Sequence, residues 1–220
     1  MPRVEAVLFD LDGVLVDTEP IWERVRRVFA EQHGGKWSGE IQAQMMGVRT
    51  VDWATTLSEL IQRKIQPEAV ADAVVSDLSA AYLRHLPVID GAVDAARGLS
   101  RRFRLGLVSG SPLVLIKLIL KLTDLTGCFE VAMSADDVAH GKPMPDPYLE
   151  LARRMGVSPK VCAAVEDSAN GIRSAAMAGA RVIAIPRGDH RPDAETLRLA
   201  SGVLPSITEL TPDLVLTLGS

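Results

Sequence analysis

Cysteine is almost absent from this chain: only Cys128 and Cys162 occur among 220 residues, with no CxxC spacing. That excludes a disulfide framework and a thiolate zinc site, and it leaves Cys162, inside an apolar run, as a small buried residue. Aromatic residues are scarce too, at 4% against 47% hydrophobic residues, so Leu, Val, Ala and Ile must build the core. The four histidines (His33, His85, His140, His190) are scattered without an HExxH pattern and read as surface or loop residues rather than ligands. No apolar stretch approaches the roughly 20 residues needed to span a bilayer. No charged n-region and apolar h-region precede the first strand-like run, so the expected compartment is the cytoplasm. An excess of positive charge is also missing. The formal net charge of -4 gives no footprint for nucleic acid or an anionic membrane. Short basic clusters at Arg24, Arg26 and Arg27 and at Arg101, Arg102 and Arg104 read as solvated faces.

What the chain does have is an alternation. Residues 4–9 (VEAVLF) form a short apolar run ending on Asp10, the pattern of a buried parallel strand. Similar runs cover 105–108 (LGLV), 161–165 (VCAAV) and 182–185 (VIAI), with a shorter one at 129–133 (FEVAM). Helical patterns over 92–99, 112–122, 147–155 and 168–178 fall between them. Strands alternating with helices of this length predict βαβ units in an α/β, Rossmann-like, doubly wound parallel sheet. From about 18 to 84 the texture changes. No strand run occurs, apolar residues follow helical spacing (Ile21, Val25, Val28, Phe29), and Pro20, Pro67, Ser38 and Thr50 mark helix starts. This interval reads as three or four inserted helices lying over the crevice where open α/β sheets bind ligands. The expected division is a core of 1–16 and 85–220 and a helical cap of 17–84, hinged near 14–18 and 83–90. The stretch 183–193 (IAIPRGDHRPD) reads as a polar loop.

Four polar clusters each follow a predicted strand. Asp10-Leu11-Asp12-Gly13 puts two carboxylates two residues apart on an extended chain, where both point to one side. Two anions at ~4 Å repel by about 4 kcal/mol in an intermediate dielectric, so the pair asks for a metal or a shared proton. With a divalent cation present, one carboxylate can act as nucleophile and the other as acid and base. Read alone, the pair could equally be turn-forming aspartates. Val108-Ser109-Gly110-Ser111-Pro112 offers hydroxyls and free N–H groups at a helix start, an anion-binding turn or an ordinary cap with Ser111 at the N-cap. Gly141-Lys142-Pro143 fixes a lysine that can clamp phosphate or sit in a solvated loop, and it leads into Asp146-Pro147, a helix-start signature. Glu166-Asp167-Ser168 places adjacent acids where they can ligate Mg2+ or cap the next helix. Together the clusters set four acids, hydroxyls and a lysine at one sheet edge, which chance capping does not produce.

These segments resemble a known family. LFDLDGVLVDTE (8–19), VSGSP (108–112), GKPMPDPY (141–148) and VEDSANGI (165–172) are similar to the four motifs of the haloacid dehalogenase-like hydrolase superfamily, and the insertion resembles the cap of the β-phosphoglucomutase and sugar-phosphate phosphatase subgroup. The resemblance implies that Asp10 forms an aspartyl-phosphate, that Asp12 protonates the leaving group and then activates water, and that Ser109, Gly110 and Lys142 hold the phosphoryl group. It also implies Mg2+ held by Asp10, the backbone oxygen of Asp12, and Asp167, with Glu166 in or near the shell. Asp12 separates the chain from the dehalogenases, which attack carbon and need neither this acid nor Mg2+.

The expected activity is therefore a Mg2+-dependent phosphatase for a small phosphorylated metabolite such as a hexose 6-phosphate. A phosphomutase of the β-phosphoglucomutase type and a phosphoglycolate phosphatase are the alternatives. In the cap, Glu19 and Arg49 are the substrate-facing candidates. Trp22 and Met46 either line the pocket or pack the cap core. A mutase would carry its arginine one position later and a histidine near Pro20. The expected partner is a small-molecule substrate and the expected state a monomer. No GxGxxG follows a strand and no P-loop occurs, which argues against dinucleotide or ATP chemistry.

Overall fold

The computed structural model of the chain describes residues 3–187 and 191–218. Six strands form one sheet: β1 (Ala6–Phe9), β2 (Arg104–Ser109), β3 (Val131–Ser134), β4 (Cys162–Glu166), β5 (Arg181–Ala184) and β6 (Gly202–Val203). Their order is β3-β2-β1-β4-β5-β6, and every pairing is parallel. The chain moves outward from β1 to one edge, then returns and moves outward to the other. β1 is thus the topological switch point, where such sheets open a crevice beyond the strands' carboxyl ends.

The apolar runs form strands because both of their faces are buried. On β1, Val7 and Phe9 face one core layer while Ala6 and Leu8 face the other, the period of two that a pleated strand imposes. The first layer packs against α5 (Ala92–Ser100) and α6 (Leu113–Leu122), which buries Leu115, Ile116, Ile119 and Leu120. The second packs against α7 (Asp146–Arg154) and α8 (Ala169–Ala178) through Tyr148, Leu151, Ile172 and Ala175. Cys162 lies buried in this second layer, as expected. The two-residue β6 and the helices 194–197 and 212–217 carry too few residues for a periodic signal, and the sequence reading did not include them. The polar stretch at 183–193 proves to be partly strand: β5 takes Ile183 and Ala184, both fully buried. Residues 188–190 of that stretch, with His190, lie outside the described residues.

Four helices, α1 (Glu19–Gln32), α2 (Gly39–Met45), α3 (Thr50–Leu60) and α4 (Pro67–Arg84), intervene between β1 and α5. Pro20 and Pro67 occupy first-turn positions, and Ser38 caps α2 by accepting from the Ile41 N–H. Thr50 is not a cap: Arg49 holds that position, and Thr50 turns its N–H and hydroxyl to Asp136 at 2.8 and 2.6 Å. The buried face of α1 also differs from the expected one. Trp22, Arg26, Phe29 and Ala30 are buried, while Val28 is 42% exposed. Arg26 lies one turn beyond Trp22 on the same stripe, so it is not part of a solvated face as Arg24 and Arg27 are. The two chain segments that connect these helices to the sheet run antiparallel. Val16 bridges Val88, the Asp17 N–H donates to the Pro87 carbonyl at 2.8 Å, and the Ile89 N–H donates to Leu15 at 3.0 Å.

Candidate active site

β1, β2 and β4 end together at the switch point, and each delivers a polar group to one cavity of about 540 Å³. Asp10 follows β1, Ser109 ends β2, and Asp167 follows Glu166 at the end of β4. Gly13 takes φ +83, and a Cβ there would fall 1.9 Å from the Asp167 carboxylate. Only glycine lets the β1 turn close onto that acid. Gly171 does the same for Glu166, whose carboxylate lies 1.9 Å from where a Cβ would stand.

Lys142 is the pivot. Its ammonium is buried and lies 2.8 Å from Asp10 and 2.6 Å from Glu166. Burial alone would depress its pKa, but the two carboxylates hold it above the usual lysine range. Glu166, with no exposure, also accepts from the Tyr148 hydroxyl at 2.7 Å and the Ser168 hydroxyl at 3.2 Å. Tyr148 remains a donor because burial, then Glu166 and Asp10, push its pKa well above normal. Asp10 is raised to about 7: burial dominates, Lys142 opposes it, and Glu166 and Asp12 add to it. Asp167 is raised well above the carboxylate range by burial, then by Asp10 and Glu166. One lysine does not balance three clustered acids.

That imbalance is the test for a metal. Asp10, Glu166 and Asp167 each present a carboxylate oxygen within 4.8 Å of the others, an all-oxygen set that suits a hard divalent cation. Among the described residues Asp167 forms no ion pair, so its carboxyl group, which lines the cavity, is free to take a cation. Glu166 differs from its neighbours, because Lys142, Tyr148 and Ser168 already occupy its oxygens. The residues fit a divalent cation, with Asp10 and Asp167 as the freer ligands.

Asp12 lines the same cavity. Its Oδ1 accepts from the Thr18 hydroxyl, and its Oδ2 accepts from Ser109 and Ser111, each at 2.9 Å. Ser111 is thus not the cap of α6, whose N-cap position is Pro112. Instead it positions Asp12, while its N–H donates to the Ser109 hydroxyl at 2.9 Å. Ser168, rather than Asp167, caps α8 through the Gly171 N–H. Asp146 opens α7 without capping it and pairs with His140 at 2.9 Å.

The α1–α4 layer supplies much of the remaining cavity wall, and residues 168–170 and Arg187 of the sheet side supply more. Glu19, Trp22, Arg26, Met46, Val48 and Trp53 line it. Trp22 and Met46 therefore line the pocket, and Trp22 also packs edge-on against Trp53 with ring centroids 5.6 Å apart. Gly110 lies at the cavity beneath the Gly47 and Val48 carbonyls. Arg49 does not line this cavity: it donates to the Val138 and Ala139 carbonyls at 3.3 and 2.6 Å and pairs with Asp52. Thr18, Tyr148, Arg26 and Trp53 are the site residues that sequence reasoning missed, and Ser111 is one it placed only in a turn or cap. Of these, Arg26 could have been found from its i, i+4 spacing to Trp22.

A doubly wound sheet with clustered acids and a lysine at its switch point, under inserted helices, defines a Rossmann-like α/β enzyme with a helical cap. Residues 4–179 match the family described as haloacid dehalogenase-like hydrolase, and the chain belongs to it. Hexitol phosphatase B of Escherichia coli (strain K12) is 31% identical over 213 residues, 95% of each chain. Fructose-1-phosphate phosphatase YqaB of the same organism is 29% identical over 80% of this chain and 94% of its own. Among solved structures, CbbY from Rhodobacter sphaeroides in complex with phosphate shares the fold with TM-score 0.83 at 24% identity, covering 97% of this chain and 99% of its own.

Proposed function

We propose that this chain is a Mg2+-dependent phosphoric monoester hydrolase acting on a small sugar or polyol phosphate through an aspartyl-phosphate on Asp10. The observation that carries the reading is the placement of Lys142 against Asp10, with Asp12 lining the same cavity and Asp167 beside Asp10. Phosphoryl transfer depends mainly on positioning and charge neutralisation, and this set of groups can supply both. The names of the curated relatives, a hexitol phosphatase and a fructose-1-phosphate phosphatase, support the substrate class.

In this mechanism an Asp10 oxygen forms a bond to phosphorus as the bond to the leaving oxygen breaks. Asp12 gives that oxygen its proton and so ends the step as a carboxylate. It then takes a proton from the water that attacks phosphorus, and breaking of the Asp10–phosphorus bond frees Asp10 and inorganic phosphate. The Thr18, Ser109 and Ser111 hydroxyls hold the Asp12 carboxylate in its orientation between the steps. Lys142 and the Ser109–Gly110 turn hold the non-bridging oxygens, and Glu166 with Tyr148 fixes Lys142. Asp10, the Asp12 backbone oxygen and Asp167 would hold Mg2+, which when bound supplies neutralising charge for the carboxylates and the phosphoryl group. Glu166 then acts through Lys142 rather than as a ligand.

We assign 17–84 to a cap that covers the leaving group and 1–16 with 85–220 to the core. The antiparallel pairing of Val16 with Val88 lies at that junction and supports it as the hinge. The deciding experiment is phosphate release across sugar phosphates, phosphoglycolate and β-glucose 1-phosphate, with Mg2+ or with EDTA and with Asp10→Asn as control. Release that requires Mg2+ and is lost in the variant is expected. Conversion of β-glucose 1-phosphate to glucose 6-phosphate without release would make the chain a mutase instead.

A further inference from the structure

Arg49 reaches away from the cavity and onto the core. Its Nη1 donates to the Val138 and Ala139 carbonyls at 3.3 and 2.6 Å, while Nε and Nη2 donate to the two oxygens of Asp52 at 3.0 and 3.2 Å. The planar fork therefore has one edge fixed on α3 and the other on the stretch of chain that leads to Lys142. The arginine stem crosses that stretch: a Cβ on Gly141 would fall 3.0 Å from Arg49 Cγ. Among the described residues, the other hydrogen bonds of 138–141 run to Ala135, Met144 and Asp146, all within the same stretch. Arg49 supplies the tie from outside it.

A second contact beside it joins the same two parts. The Asp136 carboxylate accepts from the Thr50 N–H at 2.8 Å and from the Thr50 hydroxyl at 2.6 Å. Arg49 offers no side-chain cap to α3, so an acid from the sheet side satisfies the start of that helix. The receiving side is stiff. The Asp136 N–H donates to the Ser134 hydroxyl at 3.1 Å, that hydroxyl donates to the Ser111 carbonyl at 2.8 Å, and Asp137 pairs with Arg154 of α7 at 2.8 Å. Ser111 in turn holds Asp12, and α7 carries Tyr148, which holds Glu166. The start of α3 is thus joined to the two elements that orient the acids.

We infer that Arg49 is a positioning residue for Lys142: it pins the 138–142 segment when α1–α4 lie against the sheet, so the phosphate clamp is complete only in that arrangement. The inference rests on the phosphatase and cap readings and goes beyond them, because it ties the chemistry to the cap's position through a contact outside the cavity. With Arg49 withdrawn, 138–141 keeps only its local hydrogen bonds. Asp10 and Glu166 still attract the Lys142 ammonium, but its distance to an incoming phosphoryl group is no longer fixed. A displacement of about 1 Å at a reacting centre can cost roughly 10²-fold in rate. Arg49 does not line the cavity, so its loss should act on kcat rather than on recognition of the leaving group.

The test is steady-state kinetics of the full chain with Mg2+ on sorbitol 6-phosphate and p-nitrophenyl phosphate, with inhibition by orthovanadate as a direct probe of the phosphoryl site. Arg49→Met should lower kcat for both esters by the same factor, about tenfold to a hundredfold, and leave KM within about threefold. It should also weaken vanadate inhibition at least fivefold, with the circular dichroism spectrum unchanged. Arg49→Lys, whose ammonium can donate to the same carbonyls, should recover part of kcat. Asp136→Ala frees the start of α3 without touching those carbonyls. It should reproduce the pattern at a smaller size and add little to Arg49→Met, and it carries the decision if Arg49→Met does not fold. Vanadate inhibition unchanged within threefold, or a loss confined to KM for sorbitol 6-phosphate, overturns the inference and leaves the phosphatase reading standing. A wild type that hydrolyses neither ester overturns both.

Discussion

The two ends of the cavity are built on opposite plans. At the sheet end, the charged groups are cross-linked: Lys142 bridges Asp10 and Glu166, Tyr148 and Ser168 saturate Glu166, and three hydroxyls converge on Asp12. At the α1–α4 end, Arg26 Nε, Trp53 Nε1 and Gln42 Oε1 are buried without partners among the described residues. The sheet end is organised before any ligand arrives, which suits chemistry that depends on preorganised charge. The difference teaches that a reaction can stay fixed at a sheet edge while the helices above it decide what reacts.

The comparison breaks hardest at the nucleophile. Asp10→Asn removes the attacking charge and is expected to lower kcat at least ~10⁴-fold with the fold retained, measured by phosphate release and circular dichroism. Next comes Lys142→Met, which leaves Glu166 and Asp10 buried without their cation. It should destabilise by about 3–5 kcal/mol in denaturant unfolding with EDTA, and turnover should fail. Adding Glu166→Gln should recover part of that stability but not the turnover, which separates the two roles of the lysine.

The cap end should yield a smaller effect with its own pH signature. The folded-state pKa of Glu19 is raised to about 7 from an ordinary 4.5, so between those values the folded chain binds more protons than the unfolded one. Stability from this group is full below about 4.5 and is lost as pH rises through about 7. Wild type should therefore lose about 3 kcal/mol relative to Glu19→Gln between pH 4.5 and 8, and parallel stability curves would contradict the burial of this acid. Smallest is Ser111→Ala, which takes one of three hydroxyls from Asp12. A fall in kcat of roughly 5–20-fold, equivalent to about 1–2 kcal/mol, is expected without a change in Tm beyond a few degrees.

Sequence legibility follows the same division. Apolar runs that end on Asp10, Ser109 and Glu166 announce buried parallel strands, because burial on both faces leaves no polar alternation. The chain order then places their polar ends together. Side-chain direction within a turn leaves no such trace. Ser111 looks like a cap and instead holds Asp12, and Arg49 looks substrate-facing but binds the carbonyls of Val138 and Ala139. Glu166 belongs to the group of acids that could hold a metal, but its hydrogen bonds from Lys142, Tyr148 and Ser168 have no trace in the sequence. Arg26 is the instructive case between these extremes. Composition places it in a basic cluster, whereas helical period places it on the buried stripe, and the period is the stronger signal.

The bridge between Val16 and Val88 has a further meaning for how such a chain could arise and be rebuilt. Two antiparallel segments already paired at their ends are what a hairpin leaves when its turn is opened. The four helices α1–α4 occupy the place of that turn, and the entropy of closing a loop grows only logarithmically with its length. A module of any size can be exchanged at this spot while the sheet sees the same two paired ends.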